Sequence, residues 1–128
     1  MPFIDESLDD VGEAKPAPEG EYDLRIVKAE ETTSKNGNAM AEVIIVFEDP
    51  SIDALPIRHY MTKWDHDTPS DQVRMRKLEF KRFFTCFNID PDGEVVDWVG
   101  NTGRSLVIQE EGQDGNTYNR LRLPKLRD

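Results

Sequence analysis

The 128-residue chain holds one cysteine, Cys86, and two histidines, His59 and His66. A single thiol excludes an internal disulfide and any cysteine-cluster zinc site. No HxxxH or HExxH spacing accompanies the histidines, so Asp65-His66-Asp67 reads as a solvent-exposed turn and no metal site is expected. Cys86, inside an apolar stretch, reads as a small buried hydrophobe rather than a nucleophile. There is no Walker-type glycine loop, and the acidic residues are not paired as a two-metal nuclease requires. No apolar run is long enough to span a membrane, and no basic-then-apolar pattern opens the chain. These absences point to a soluble intracellular protein without catalysis or cofactor.

What is present is charge, unevenly placed. The net charge of −10 argues at first against a nucleic-acid partner. Residues 1–23 hold eight acids against Lys15, a net of −7, which leaves −3 for the other 105 residues with their 15 Lys and Arg. Residues 1–19, with Pro16-Ala17-Pro18 and Gly12, read as a flexible acidic tail ahead of one domain at 20–128. Phe3, Ile4, Leu8 and Val11 are its few apolar side chains, spaced for a short amphipathic turn.

The domain is organised around a hairpin from Gly20 to Glu48. Tyr22, Leu24 and Ile26 alternate with Asp23 and Arg25, the period of a half-buried strand. The unbroken run Val43-Ile44-Ile45-Val46-Phe47 suits a central strand covered on both faces. Asn36-Gly37 between the arms is a hairpin signal. Pro56 to Trp64 reads as a third strand, with Ile57, His59, Met61 and Lys63 on one face and Arg58, Tyr60, Thr62 and Trp64 on the other.

Thr68-Pro69-Ser70-Asp71 has the form of a capping box and opens a helix. Val73, Phe80, Phe84 and Phe87 form its apolar stripe, while Arg74, Lys77, Lys81 and Arg82 form its wet face. Asn88 to Gly93 ends it, and Val95 to Gly100 is a short apolar patch in which Trp98 is assigned to the core. Arg104–Glu111 and Thr117–Leu123 read as a second hairpin across Asp114-Gly115. In the last strand Leu121 and Leu123 share one face, and Tyr118, Arg120 and Arg122 the other.

Three strands, a helix and two strands is the order of an OB-fold, a mainly β, five-stranded Greek-key barrel with one helix between strands 3 and 4. Gly20-x-Tyr22, Ser34-x-x-Gly37-Asn38, Trp98-x-Gly100, Gly103 and Asp114-Gly115-x-x-Tyr118-Asn119 resemble bacteriophage single-stranded-DNA-binding proteins of the OB type. The resemblance spreads over about 100 residues and rests on small and turn residues. It implies non-catalytic coating of single strands in phage replication and recombination, in the cytoplasm of an infected bacterium. Members of that family often carry an acidic, protein-recruiting tail at the C-terminus. Here the acidic segment is N-terminal and the C-terminus basic.

Single-strand binding needs cations along the phosphates and aromatic faces under the bases. The candidates are Lys35 and Asn36 at the hairpin tip, Arg58, Tyr60, Lys63 and Trp64 from strand 3, and Tyr118, Arg120 and Arg122 from strand 5. The tail is expected to fold back over this basic groove or to recruit replication or recombination proteins. A protein-binding OB-like adaptor is the alternative, because Tyr, Trp and Arg also serve protein interfaces. An acidic DNA mimic would spread its negative charge over the folded body, and here the charge gathers in the tail.

Overall fold

The computed structural model describes residues 2–9 and 15–126; Val11 and the chain end at Arg127 and Asp128 lie outside the described residues. The fold is mainly β: a five-stranded antiparallel sheet with one α-helix. In chain order the elements are β1 (Gly20–Thr33), β2 (Ala39–Phe47), β3 (Ile57–Thr62), α1 (Ser70–Cys86), a 3-10 turn (Val95–Trp98), β4 (Thr102–Glu111) and β5 (Thr117–Arg122). The sheet order is β3-β2-β1-β4-β5.

β1 is the central strand, because its 14 residues serve two partners. Its first half pairs with β4, from Gly20 opposite Val107 to Arg25 opposite Thr102. From Leu24 onward it pairs with β2, with a register shift between Ile26 and Lys28 that leaves Val27 exposed. Both hairpins close on three-residue loops. Ser34 N–H donates to Asn38 O at 2.8 Å and Gly112 N–H to Asn116 O at 2.8 Å. Gly37 (φ 86°) and Gly115 (φ 84°) take the left-handed position that such loops require.

The inward face of the sheet carries Leu24, Ile26, Val43, Ile45, Ile57, Met61 and Val107, and Phe83, Phe87 and Trp98 pack against it. Each fully buried side chain of this kind stabilises the fold by roughly 1.5–3 kcal/mol. β2 is not covered on both faces as its apolar run suggested. Ala41, Val43 and Ile45 are buried, whereas Ile44 and Val46 are half-buried. The apolar stripe of α1 is also rotated from the expected one: Phe83 and Phe87 are fully buried, and Phe80 and Phe84 lie at its margin.

The expected cap of α1 does not form. The Thr68 hydroxyl donates to the Asp65 carboxylate (3.0 Å) and accepts from Asp65 N–H (3.0 Å), closing the turn before the helix, and no side chain caps the helix itself. The C-terminal end is better satisfied. Asn88 adopts φ 55°, and Ile89 N–H reaches back to Phe84 O at 2.9 Å, burying Ile89 beside the last turn. At Gly103 a Cβ would collide with the Cys86 carbonyl, so only glycine lets β4 start beneath the end of α1.

The ladder is not closed into a ring. β3 and β5 are the two edges of the sheet, and they approach within 8 Å between Cα atoms without pairing. Among the described residues, no helix is long and apolar enough to cross a membrane.

Candidate functional site

The open seam between β3 and β5 forms a cleft of about 530 Å³. Strand alternation decides what faces it. On β3, Ile57 and Met61 turn into the core, which leaves Arg58 and Tyr60 pointing out. On β5, Asn119 is buried, and its neighbours Tyr118 and Arg120 stand on the other face. The cleft is walled by Arg58 and Tyr60 on one side and by Thr117 to Arg120 on the other, with Ile44, Leu55, Pro56 and Pro16 completing it. Tyr60 is 46% exposed, so its ring is open to a ligand. The Arg120 guanidinium lies 5.3 Å from the centre of the Tyr118 ring, and the Tyr118 hydroxyl donates to the Asp114 carboxylate. That hydroxyl, helped by the Asn116 amide, holds Asp114 below the usual carboxylate range. The ring of Tyr118 is thus fixed at its tip, with a cation on one face.

One wall of the cleft comes from the segment that composition grouped with the tail. Ala17 is 3% exposed and is held at both backbone groups by one side chain. Its N–H donates to Asn119 Oδ1 (2.8 Å), and its carbonyl accepts from Asn119 Nδ2 (3.0 Å) and Gln109 Nε2 (2.9 Å). The Glu19 carboxylate accepts from Gln109 N–H, and the Pro18 carbonyl from the Tyr22 hydroxyl at 2.6 Å. Residues 16–19 are therefore fixed against β4 and β5, and Pro16 is set at the cleft wall.

Of the nine residues expected to act together, Arg58, Tyr60, Tyr118 and Arg120 share this cleft. Lys35 and Asn36 are exposed at the β1–β2 turn, and Lys63 and Arg122 are exposed at strand ends; none of these four lines it. Trp64 is elsewhere. β3 ends at Thr62, so strict alternation does not extend to Trp64. Its ring meets Phe80 edge-on at 6.1 Å, and Lys77 Nζ lies 5.2 Å from its centre. It lines a second groove with Lys77, Lys81, Phe80 and Phe84. Ile44, Leu55, Pro56 and Pro16 were not expected at the site. Leu55-Pro56, an apolar pair between a turn and a strand, was the legible signal among them.

His59 and Cys86 are engaged within the fold, and the turn at Asp65 is closed on itself. His59 stacks on Phe83 (5.5 Å between ring centres, 13° between planes), and burial pushes it down to about 4. The Glu79 carboxylate, 3.6 Å from its Nε2, does not offset that burial and is itself raised by desolvation. The Cys86 thiol is pushed up to about 11 by burial, despite its contact with the Arg104 carbonyl, so it stays protonated and unreactive near neutral pH. Asp65 accepts from Asp67 N–H and the Thr68 hydroxyl, leaving His66 in solvent. No protein-family model matches the chain, and no curated protein matches it in sequence.

Proposed function

We propose that this protein binds single-stranded DNA without catalysis and with tolerance of sequence, using the β3–β5 cleft. The observation that carries the reading is the meeting of Arg58 and Tyr60 with Tyr118 and Arg120 across one seam. Stacking on an aromatic ring supplies roughly 1–3 kcal/mol per base, whatever the base, and the guanidinium groups neutralise phosphates. The apolar side chains of Ile44 and Leu55 in its lining suit unpaired bases better than a duplex, whose bases are turned inward.

The fold reading goes with it. Joining β3 to β5 in the observed order β3-β2-β1-β4-β5 gives the cyclic arrangement of a five-stranded Greek-key barrel, and we assign the chain to the OB type on that ground. The β1–β2 and β4–β5 loops then flank the binding face, with Lys35 and Asn36 on the first. A role in phage replication or recombination, in the cytoplasm of an infected bacterium, is the setting the sequence resemblance suggests.

The test is a salt titration of binding to fluorescent oligo-dT beside duplex DNA of equal length. Expected are binding to the single strand, weaker binding to the duplex, and a logarithmic salt slope reduced by about 0.7 in each of Arg58→Ala and Arg120→Ala. Binding of neither nucleic acid would overturn the proposal and leave a protein-binding adaptor.

A further inference from the structure

The second groove, about 450 Å³, has a floor of Trp64, Phe80, Phe84 and Ile89 and a rim that includes Lys77 and Lys81. It shares no residue with the β3–β5 cleft. The helix that forms it carries five cations against two acids, in a chain of net charge −10. Its natural occupant is a short apolar segment flanked by carboxylates. The chain itself contains one. Phe3, Ile4 and Leu8 are exposed at 102%, 52% and 59%, and Asp5, Glu6 and Asp9 lie among them with no cation between.

We propose that residues 3–8 of one copy dock in the Trp64–Phe84 groove of a second copy, apolar side chains on the floor and carboxylates toward Lys77 and Lys81. In the single chain these side chains are exposed and none lines the chain's own groove, and a second copy is the partner assigned. The tether allows it. Twelve residues lie between Phe3 and Pro16, which adjoins Ala17, where the chain is held to the sheet. Extended, they span at most about 45 Å, more than the roughly 35 Å width of a domain this size. A tail-to-groove contact is heterologous, so it generates rings or open chains of copies rather than only symmetric pairs. The contact needs no nucleic acid and stands independently of the cleft's ligand.

Sedimentation equilibrium without DNA tests it, using the full chain, a tail variant (Phe3→Ser with Leu8→Ser) and a groove variant (Lys77→Glu with Lys81→Glu). All four altered side chains are exposed, and circular dichroism verifies that each variant is folded. The full chain is expected above its 14.7 kDa monomer mass at high concentration. Each variant alone should be a monomer, and an equimolar mixture should form dimers, because one retains the tail and the other the groove. A full chain that is monomeric throughout, association that survives in either variant, or a mixture that stays monomeric would each overturn the proposal.

Discussion

At the residue scale Tyr60, Tyr118 and Trp64 separate into different tasks. Tyr60 and Tyr118 face the cleft, whereas Trp64 leans on Phe80 under Lys77. Tyr60→Ala and Tyr118→Ala should each weaken oligo-dT binding by about 5- to 150-fold, the equivalent of roughly 1–3 kcal/mol. Trp64→Ala should leave binding to an oligonucleotide long enough for only one protein nearly unchanged; fluorescence anisotropy measures all three. His59 gives a prediction of another kind. Its folded pKa of about 4 lies below the ordinary 6.5, so between these values the unfolded chain binds more protons and stability falls as the pH drops. From pH 7 to pH 5 this should remove about 2 kcal/mol. His59→Phe, which retains a ring against Phe83, should flatten that part of the urea-midpoint profile.

At the element scale the strands were legible and their ends were not. Alternation in β3 and β5 identified Arg58, Tyr60, Tyr118 and Arg120 as outward-facing, because a two-residue period is a local property of extended backbone. The position of Trp64 depended on where β3 stops, and the cap of α1 depended on whether the Thr68 hydroxyl turned forward or back to Asp65. Both are set by competing partners that spacing does not rank. The Pro16–Glu19 segment was hidden for a further reason: Ala17 is held by Asn119, 102 residues away. Asn119→Ala removes both hydrogen bonds to Ala17 and should cost about 1–3 kcal/mol. Hydrogen exchange at the Ala17 amide should accelerate with it, and unchanged protection there would show that Asn119 does not hold the segment.

At the scale of the whole molecule, charge and topology meet at the cleft. Pro16 lines it together with Arg58 and Arg120, and the sequence ahead of Pro16 carries Asp5, Glu6, Asp9, Asp10 and Glu13. Replacing Asp5, Glu6, Asp9, Asp10 and Glu13 with their amides, while retaining Pro16 to Glu19, should tighten binding of a single-site oligonucleotide. The gain should be roughly tenfold at ~10 mM salt and small at ~0.5 M, where screening shortens the reach of each charge to a few ångströms. Equal affinity at low salt would mean that the tail does not compete for the cleft. The antiparallel sheet with one helix was readable from the order of elements. The open seam was not, since closure depends on how far β3 and β5 curve toward each other, a cumulative property of twist that no stretch of sequence states.

If the cleft takes a single strand as proposed, that seam determines how forgiving it is. No backbone hydrogen bond joins β3 to β5, so the gap is bounded by side chains, with Arg58 and Tyr60 facing a Tyr118 ring pinned by Asp114. A purine and a pyrimidine differ in bulk by one ring, and a jaw held by rotamers widens for the larger without unfastening any rung of the sheet. Indifference to base identity would then be a mechanical property of the unlatched edge, present before any nucleotide arrives.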